Sequence, residues 1–147
     1  MTTKEYLQQI YKLNRKVHRL QLQRDTLKAS MYEVESSAGK LDGDWIKGAG
    51  ADDPMVRAIT RLHEAETDMA GEITTLVNTM EHIADQIEQL EDERYKTILH
   101  ERYVCCYKWQ DIAEHMHTDL RYVYRLHGHA LQAFRDRFDH CFTTIVL

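Results

Sequence analysis

Arginine and tyrosine side chains are concentrated at residues 120–125, Leu-Arg-Tyr-Val-Tyr-Arg, and they suit contact with a polyanion. If these residues begin a helix with Val123 on its buried side, the other five positions point outward. Those positions are Leu120, Arg121, Tyr122, Tyr124 and Arg125. An arginine can form paired hydrogen bonds to a guanine edge or bind a phosphate, and a tyrosine ring can lie against a thymine methyl group. The segment therefore predicts a surface that reads bases in double-stranded DNA; the alternative is a contact with RNA polymerase or another subunit.

A second group of candidate residues lies where the preceding helix is expected to begin. Free backbone N–H groups at a helix N-terminus, together with a lysine, attract phosphate. His129 lies further along the helix that begins with residues 120–125, and it can reach the DNA backbone. We therefore predict phosphate contacts by Lys108, Trp109, Gln110 and His129, with core packing as the alternative role for Trp109.

Nine histidines and three cysteines raise the question of a metal site. Cys105, Cys106, His115 and His117 lie close together, but adjacent cysteines rarely ligate one ion and no Cys-x-x-Cys pair occurs. The sequence also contains no Gly-rich phosphate loop, no nucleophile elbow and no His-Glu-x-x-His motif. We therefore expect no metal ion, no cofactor and no enzymatic activity.

The spacing of apolar residues predicts three helices within residues 92–140. They cover residues 94–104, 109–116 and 120 to about 138, and the carboxylate of Asp119 can cap the third. The inward stripe of that third helix is expected to be Val123, His127, Ala130, Leu131 and Phe134. A tight turn between the last two helices is typical of a helix-turn-helix, whose second helix enters the major groove of DNA.

Three strings in this region carry a family resemblance. They are Leu99-His-Glu-Arg-Tyr103, Trp109-Gln-Asp-Ile-Ala-Glu-His-Met116, and Tyr122-Val-Tyr-Arg-Leu126 followed by Ala130-Leu131. The strings resemble the region-4 DNA-binding module of sigma-70-type factors. With the long helices before it and the opening Lys4-Glu-Tyr-Leu7, the whole chain resembles the ArpU-like, sigma-factor-like regulators of phages and prophages. The resemblance implies a transcriptional regulator of late genes.

The chain departs from this family at the turn. The family's turn glycine is His117 here, and the apolar residue after it is Thr118. The glycine position normally has φ > 0, which a histidine adopts at a cost of about 1 kcal/mol. Two other classes of protein stay open. One is a small-terminase-like DNA-packaging protein, although its DNA module usually precedes the oligomerisation helices; the other is a helical adaptor that contacts RNA polymerase instead of DNA.

Apolar residues recur every three or four positions in two long stretches. The first contains Tyr6, Ile10, Leu13, Val17, Leu20, Leu27, Met31 and Val34; the second contains Ile59, Leu62, Met69, Ile73, Leu76, Met80, Ile83, Ile87 and Leu90. This spacing predicts coiled-coil helices at about 3–35 and 54–91. The Gly-rich residues 36–53 form the predicted loop, and Asp53 with Pro54 is a suitable helix start.

We therefore predict an all-α fold in three parts. Residues 1–91 form an antiparallel coiled-coil hairpin, residues 92–140 the helix-turn-helix module, and residues 141–147 a tail. In the register that matches Met31 to Ile59, Ile87 and Leu90 extend beyond the partner helix, so we expect them to pack on residues later in the chain.

Each of the two seams has one polar interruption, Arg24 in the first and Glu66 in the second. The register above sets them opposite each other, whereas a shift by one heptad would leave both charges without a partner, at a cost of several kcal/mol. We predict a structural ion pair between Arg24 and Glu66. The alternative is that both side chains extend to water.

Charge is distributed unevenly along the 147 residues, whose net charge is −5. Residues 94–137 nevertheless carry eight basic and five acidic side chains, which suits a polyanionic partner. The sequence has neither an apolar run of about 18 residues nor an apolar leader, which predicts a cytoplasmic protein without membrane contact. The resemblance to phage regulators implies that this cytoplasm is that of a bacterial host. Since a two-helix hairpin buries only one seam, we expect a homodimer.

Overall fold

Every regular element in the described part of the chain is helical. The computed structural model describes residues 1–38 and 53–143. The elements are α1 (Thr3–Leu7), α2 (Gln9–Ala38), α3 (Pro54–Glu88), α4 (Glu93–Leu99), a π-helical segment (His100–Val104), α5 (Trp109–His115) and α6 (Leu120–Thr143). The predicted all-α class is confirmed. Most of the predicted loop at 36–53 and residues 144–147 of the predicted tail lie outside the described residues.

Side-chain caps set where α1 and α3 begin. The Thr2 hydroxyl accepts a hydrogen bond from the backbone N–H of Glu5, and the Glu5 carboxylate accepts one from the N–H of Thr2. At the start of α3, the Asp53 carboxylate accepts a hydrogen bond of 2.8 Å from the N–H of Met55. A cap of this kind contributes about 1 kcal/mol to helix stability. The predicted helix start at Asp53 and Pro54 is confirmed.

The chain forms two compact units, and their limits fall inside the long helices. The two-helix unit is Asn14–Thr75, and the C-terminal unit is Met1–Leu13 together with Leu76–Leu147. The predicted division at residue 91 therefore differs from the observed grouping. The physical reason is that apolar residues of α1, of the start of α2, and of the end of α3 with the residues just after it share one hydrophobic cluster with the C-terminal helices: Tyr6, Leu7, Ile10, Ile83, Ile87 and Leu90. The expected packing of Ile87 and Leu90 on later residues is confirmed.

The C-terminal unit has a closely packed core. Its largest fully buried side chains include Tyr103 and Phe134, with Ile98, Leu99, Ile112 and Val123 beside them in the same cluster. The predicted helix at 94–104 is present, but its second half is a π-helix. The helix that starts at Leu120 continues to Thr143, with a non-helical backbone at Phe138, where its end was predicted.

Ion pairs connect α2 and α3 in the two-helix unit. Lys16 pairs with Glu72, and Lys28 lies 3.9 Å from Glu66. On α2 the predicted seam is correct, since Val17 is buried and its other members in this unit are half-buried.

From Leu76 onwards the predicted seam on α3 is correct, since Leu76, Met80, Ile83 and Ile87 are half-buried or buried, but within the two-helix unit it is wrong at every second position. The buried and half-buried positions are Met55, Ala58, Leu62, Ala65, Met69 and Glu72, whereas Ile59, Glu66 and Ile73 are exposed. Apolar residues lie in two adjacent stripes on this helix, and the 3–4 spacing alone does not select between them.

The predicted ion pair between Arg24 and Glu66 is not formed. The Arg24 guanidinium lies 3.1 Å from the Asp25 carboxylate, and the Glu66 carboxylate lies 3.9 Å from Nζ of Lys28. The stripe of α3 that faces α2 is the one that contains Leu62, Ala65 and Met69; we call it the inner stripe. Glu66 lies outside it, where Lys28 and water can reach the carboxylate. Both observed pairs are partly exposed, so each contributes at most about 1 kcal/mol.

Candidate nucleic-acid interface

A tight turn connects α5 to α6. His117 has φ 54°, in the left-handed region, as its position in the turn predicted. The N–H of Thr118 bonds to the carbonyl of Ala113 and the N–H of His117 to that of Glu114, which satisfies the last carbonyls of α5 in a Schellman motif. The Asp119 carboxylate then accepts a 2.7 Å hydrogen bond from the N–H of Tyr122. The predicted cap of α6 is confirmed, and the turn rests on local hydrogen bonds.

The buried face of α6 holds the helix on the C-terminal unit. Val123, Ala130 and Phe134 are fully buried and His127 is 9% exposed, as expected, while Leu131 is half-buried. Sequence analysis missed Leu126, which is also buried and widens this face.

Two of the five positions expected to point outward do not. Leu120 and Tyr122 are half-buried and pack against the core. The reason is helical geometry, because Tyr122 lies four residues before the buried Leu126 and Leu120 lies three before the buried Val123. The prediction that these two side chains are outward-facing is therefore wrong.

Arg121, Tyr124 and Arg125 do lie on the exposed face of α6. Neither arginine forms an ion pair with any residue in the described part of the chain; Arg125 lies 5.6 Å from the Tyr122 ring centre. The first turn of α6 contains no acidic residue. A cation near a helix N-terminus opposes the helix dipole, so Arg121 does not stabilise the helix by itself. The arrangement leaves two uncompensated guanidinium groups next to a helix start.

The predicted phosphate-contacting residues fall into two groups. Lys108, Gln110 and His129 are exposed, whereas Trp109 is half-buried. The Trp109 ring packs edge-on against His127, with 4.6 Å between ring centres, and the Arg102 guanidinium lies 4.3 Å from its centre. Trp109 therefore adopts its alternative packing role.

Sequence analysis missed two arginines that organise this region. Arg102 lies between Trp109 and the Tyr11 ring and donates a hydrogen bond of 2.9 Å to the carbonyl of Tyr107. Arg94 donates one of 3.2 Å to the Tyr122 hydroxyl. The basic count of residues 94–137 included both arginines, but no sequence pattern indicated their partners. Arg102 thus fixes the start of α5, and Arg94 supports α6.

A buried polar pair connects the inner side of α6 to the π-helical segment. The Tyr103 hydroxyl is 2.7 Å from Nε2 of His127, and the two rings are stacked. Burial lowers the pKa of His127 to about 4 and raises that of Tyr103 to about 12. Both groups are therefore uncharged at neutral pH, and the neutral imidazole can accept at Nε2 a hydrogen bond that the Tyr103 hydroxyl donates.

Near the π-helical segment, Sγ of Cys105 lies 3.5 Å from Nδ1 of His100, but this contact is not part of a larger cluster among the described residues. Burial raises the pKa of the Cys105 and Cys106 thiols, which disfavours the thiolate that a metal or an electrophile would need. His115 instead lies 3.3 Å from the Glu101 carboxylate. Within residues 1–38 and 53–143, no group of three or more His, Cys, Asp or Glu side chains is arranged to hold a metal ion.

No helix among the described residues is both long enough and apolar enough to span a membrane.

Comparisons of the chain with protein-family models, curated proteins and solved structures find no significant match.

Proposed function

We propose that the protein is a sequence-specific regulator of transcription in a phage or prophage that binds double-stranded DNA. In this proposal α5 and α6 act as a helix-turn-helix, and the first turns of α6 enter the major groove. The observation that carries the proposal is the pair Arg121 and Arg125, exposed near the start of α6 without a carboxylate partner in the described chain. The restriction to late genes rests on the family resemblance alone.

The packing of α6 supports this role. A helix that reads bases must be held firmly on one side and expose its N-terminal side chains on the other. Val123, Leu126 and Ala130 are buried on the inner side, and the Asp119 cap and the His117 turn fix the helix start. The exposed side chains consequently project from a backbone held by its own core.

Charge supports a polyanionic partner. Residues 94–137 have a net charge of +3 from eight basic and five acidic side chains, in a chain of net charge −5. Arginine favours bidentate contacts with guanine O6 and N7, each worth about 1–3 kcal/mol of discrimination against the wrong base. We assign base contacts to Arg121, Tyr124 and Arg125.

The remaining candidates have supporting roles. We assign phosphate contacts to Lys108, Gln110 and His129, which are exposed. Leu120, Tyr122 and Trp109 pack beneath the interface and hold its shape. Few phosphate-contacting cations imply weak binding at physiological salt, in the micromolar range for one module.

The two-helix unit is proposed to be an antiparallel hairpin. The ion pairs Lys16–Glu72 and Lys28–Glu66 support it, since the partner number on α3 falls as the number on α2 rises. In this proposal the hairpin serves for assembly.

Selection from a random duplex library in low salt, followed by fluorescence anisotropy with the enriched duplex, tests the proposal. The variant R121A/R125A should bind that duplex at least about thirtyfold more weakly, as expected from losing two base contacts. The variant R135A/R137A is the matched control, because it removes two exposed arginines from the far end of the same helix and should lose less than about threefold. Failure to enrich any duplex, or equal losses in the two variants, would contradict the proposal.

A further inference from the structure

A second stripe, apolar at four of its six positions, runs along α3 within the two-helix unit. We call it the outer stripe; its members recur every three or four residues and are Val56, Ile59, His63, Glu66, Ala70 and Ile73. All six are exposed, with Val56 at 42%, Ile59 at 50% and Ile73 at 37%. The outer stripe lies one residue, or about 100° around the helix, from the inner stripe that faces α2. The contact with α2 therefore leaves the outer stripe exposed, although Glu66 at its edge lies 3.9 Å from Lys28 of α2.

Contacts within the two-helix unit bury few of its apolar side chains. Among its described residues, only Val17 and Ala65 are buried apolar side chains. Two paired helices rarely bury enough apolar surface to offset the conformational entropy lost on folding. Exposed isoleucines at regular helical spacing are typical of an interface with another helix.

The outer stripe is complementary to itself when two copies run antiparallel. With the symmetry axis between Glu64 and Ala65, Val56 of one copy faces Ile73 of the other. In the same register, the large Ile59 faces the small Ala70. His63 faces Glu66, so an imidazole N–H can donate to a carboxylate across the interface. A two-fold axis repeats each contact, as expected for a closed homodimer.

We infer that a second copy of this chain binds antiparallel along the outer stripe of α3 and forms a homodimer. The inference stands on the two-helix unit and does not depend on DNA binding. The stripe covers residues 56–73, about 27 Å of helix, and one helix–helix contact of this length is smaller than a standard interface of about 800 Å² per partner. The dimer should therefore dissociate in the micromolar range.

Sedimentation equilibrium of the full chain between about 1 and 200 µM tests the inference. The wild-type protein should pass from monomer to dimer, and I59K/I73K should stay monomeric with an unchanged helical circular dichroism spectrum. The control L22K places a single lysine on α2, at another exposed apolar residue (55%), and should dimerise like the wild type. A monomeric wild type at every concentration, or a dimeric I59K/I73K, would overturn the inference.

Disulfide trapping tests the antiparallel register. The background carries Cys105→Ser, Cys106→Ser and Cys141→Ser, and His63→Cys and Glu66→Cys are introduced into separate chains. After mixing and mild oxidation, the covalent dimer should be mainly the mixed species that joins position 63 to position 66. Covalent dimers mainly of like chains, or none above the level of a Leu22→Cys control, would refute the register.

Discussion

The two-helix unit and the C-terminal unit carry apolar residues at the same helical spacing but bury them to very different extents. In the C-terminal unit, Tyr103, Ile98 and Phe134 are at most 1% exposed, because several helices meet there. In the two-helix unit, Leu27 and comparable seam residues are half-buried. The spacing determines which side of a helix is apolar, whereas the number of neighbouring helices determines how completely that side is covered.

Polar groups differ between the units in the same way. The C-terminal unit orders His127 and Arg102 through buried or stacked contacts, whereas the two-helix unit relies on partly exposed ion pairs such as Lys28–Glu66. A fixed scaffold suits a surface whose arginines must meet particular base edges, and a half-covered helix suits assembly. We therefore assign recognition to the C-terminal unit and self-association to the two-helix unit.

The largest expected difference between the units is the cost of removing a core side chain. Phe134→Ala should lower the free energy of unfolding by about 3–5 kcal/mol, because it leaves a cavity in a closely packed core. Leu27→Ala, at a half-buried seam position, should cost only about 1 kcal/mol, since water already reaches the side chain. Urea denaturation followed by circular dichroism measures both. Equal costs would contradict the difference in burial between the units.

The next effect is a loss of stability in acid that belongs to the C-terminal unit. Burial lowers the pKa of His127 from 6.5 to about 4, so between these pH values the unfolded chain binds a proton that the folded chain does not. The contribution of His127 to the free energy of unfolding is fully present above about pH 6.5. It falls by about 3 kcal/mol as the pH is lowered towards 4.

Urea denaturation of the wild type and of His127→Leu at several pH values isolates this effect. The stability of the wild type relative to the variant should fall by about 3 kcal/mol between pH 7 and pH 4, because other titrating groups cancel in the comparison. A difference that does not change with pH would show that His127 is not the group responsible.

The smallest expected effect is the same in both units. Gly71 on α3 and Gly128 on α6 are exposed within helices, and a methyl group at either position would meet no atom within 4 Å. Gly71→Ala and Gly128→Ala should each raise the free energy of unfolding by about 0.5–1 kcal/mol, since alanine loses less backbone entropy in a helix. Thermal unfolding of both variants measures the gain; a loss at either position would indicate a close neighbour there.

Features set by local chemistry could be predicted from the sequence. The Asp119 cap depends on the first turn of α6, the left-handed His117 on the end of α5, and the break after residue 104 on the residues around it. The 3–4 spacing also identified the buried side of α2 and most of that of α6. Each of these features involves residues close together in the chain.

Features set by distant neighbours could not be predicted. Apolar residues on α3 form two adjacent stripes, and only the position of α2 selects the one that contains Ala65 over the one that contains Ile59. The same choice removed the expected pair between Arg24 and Glu66. In the candidate interface, Arg102 contacts Trp109 and Tyr11, which are distant from each other in the sequence, so no local pattern indicates these contacts. Tyr122 is half-buried because it lies on the same side of α6 as the buried Leu126.

The central claim is that the start of α6 contacts DNA, and amide chemical shifts of the ¹⁵N-labelled protein test it most directly. On titration with the enriched duplex in low salt, the largest shift changes should fall at residues 108–110 and 120–125, with little change at residues 54–75. Changes confined to residues outside α5 and α6, or none at saturating duplex, would contradict the claim.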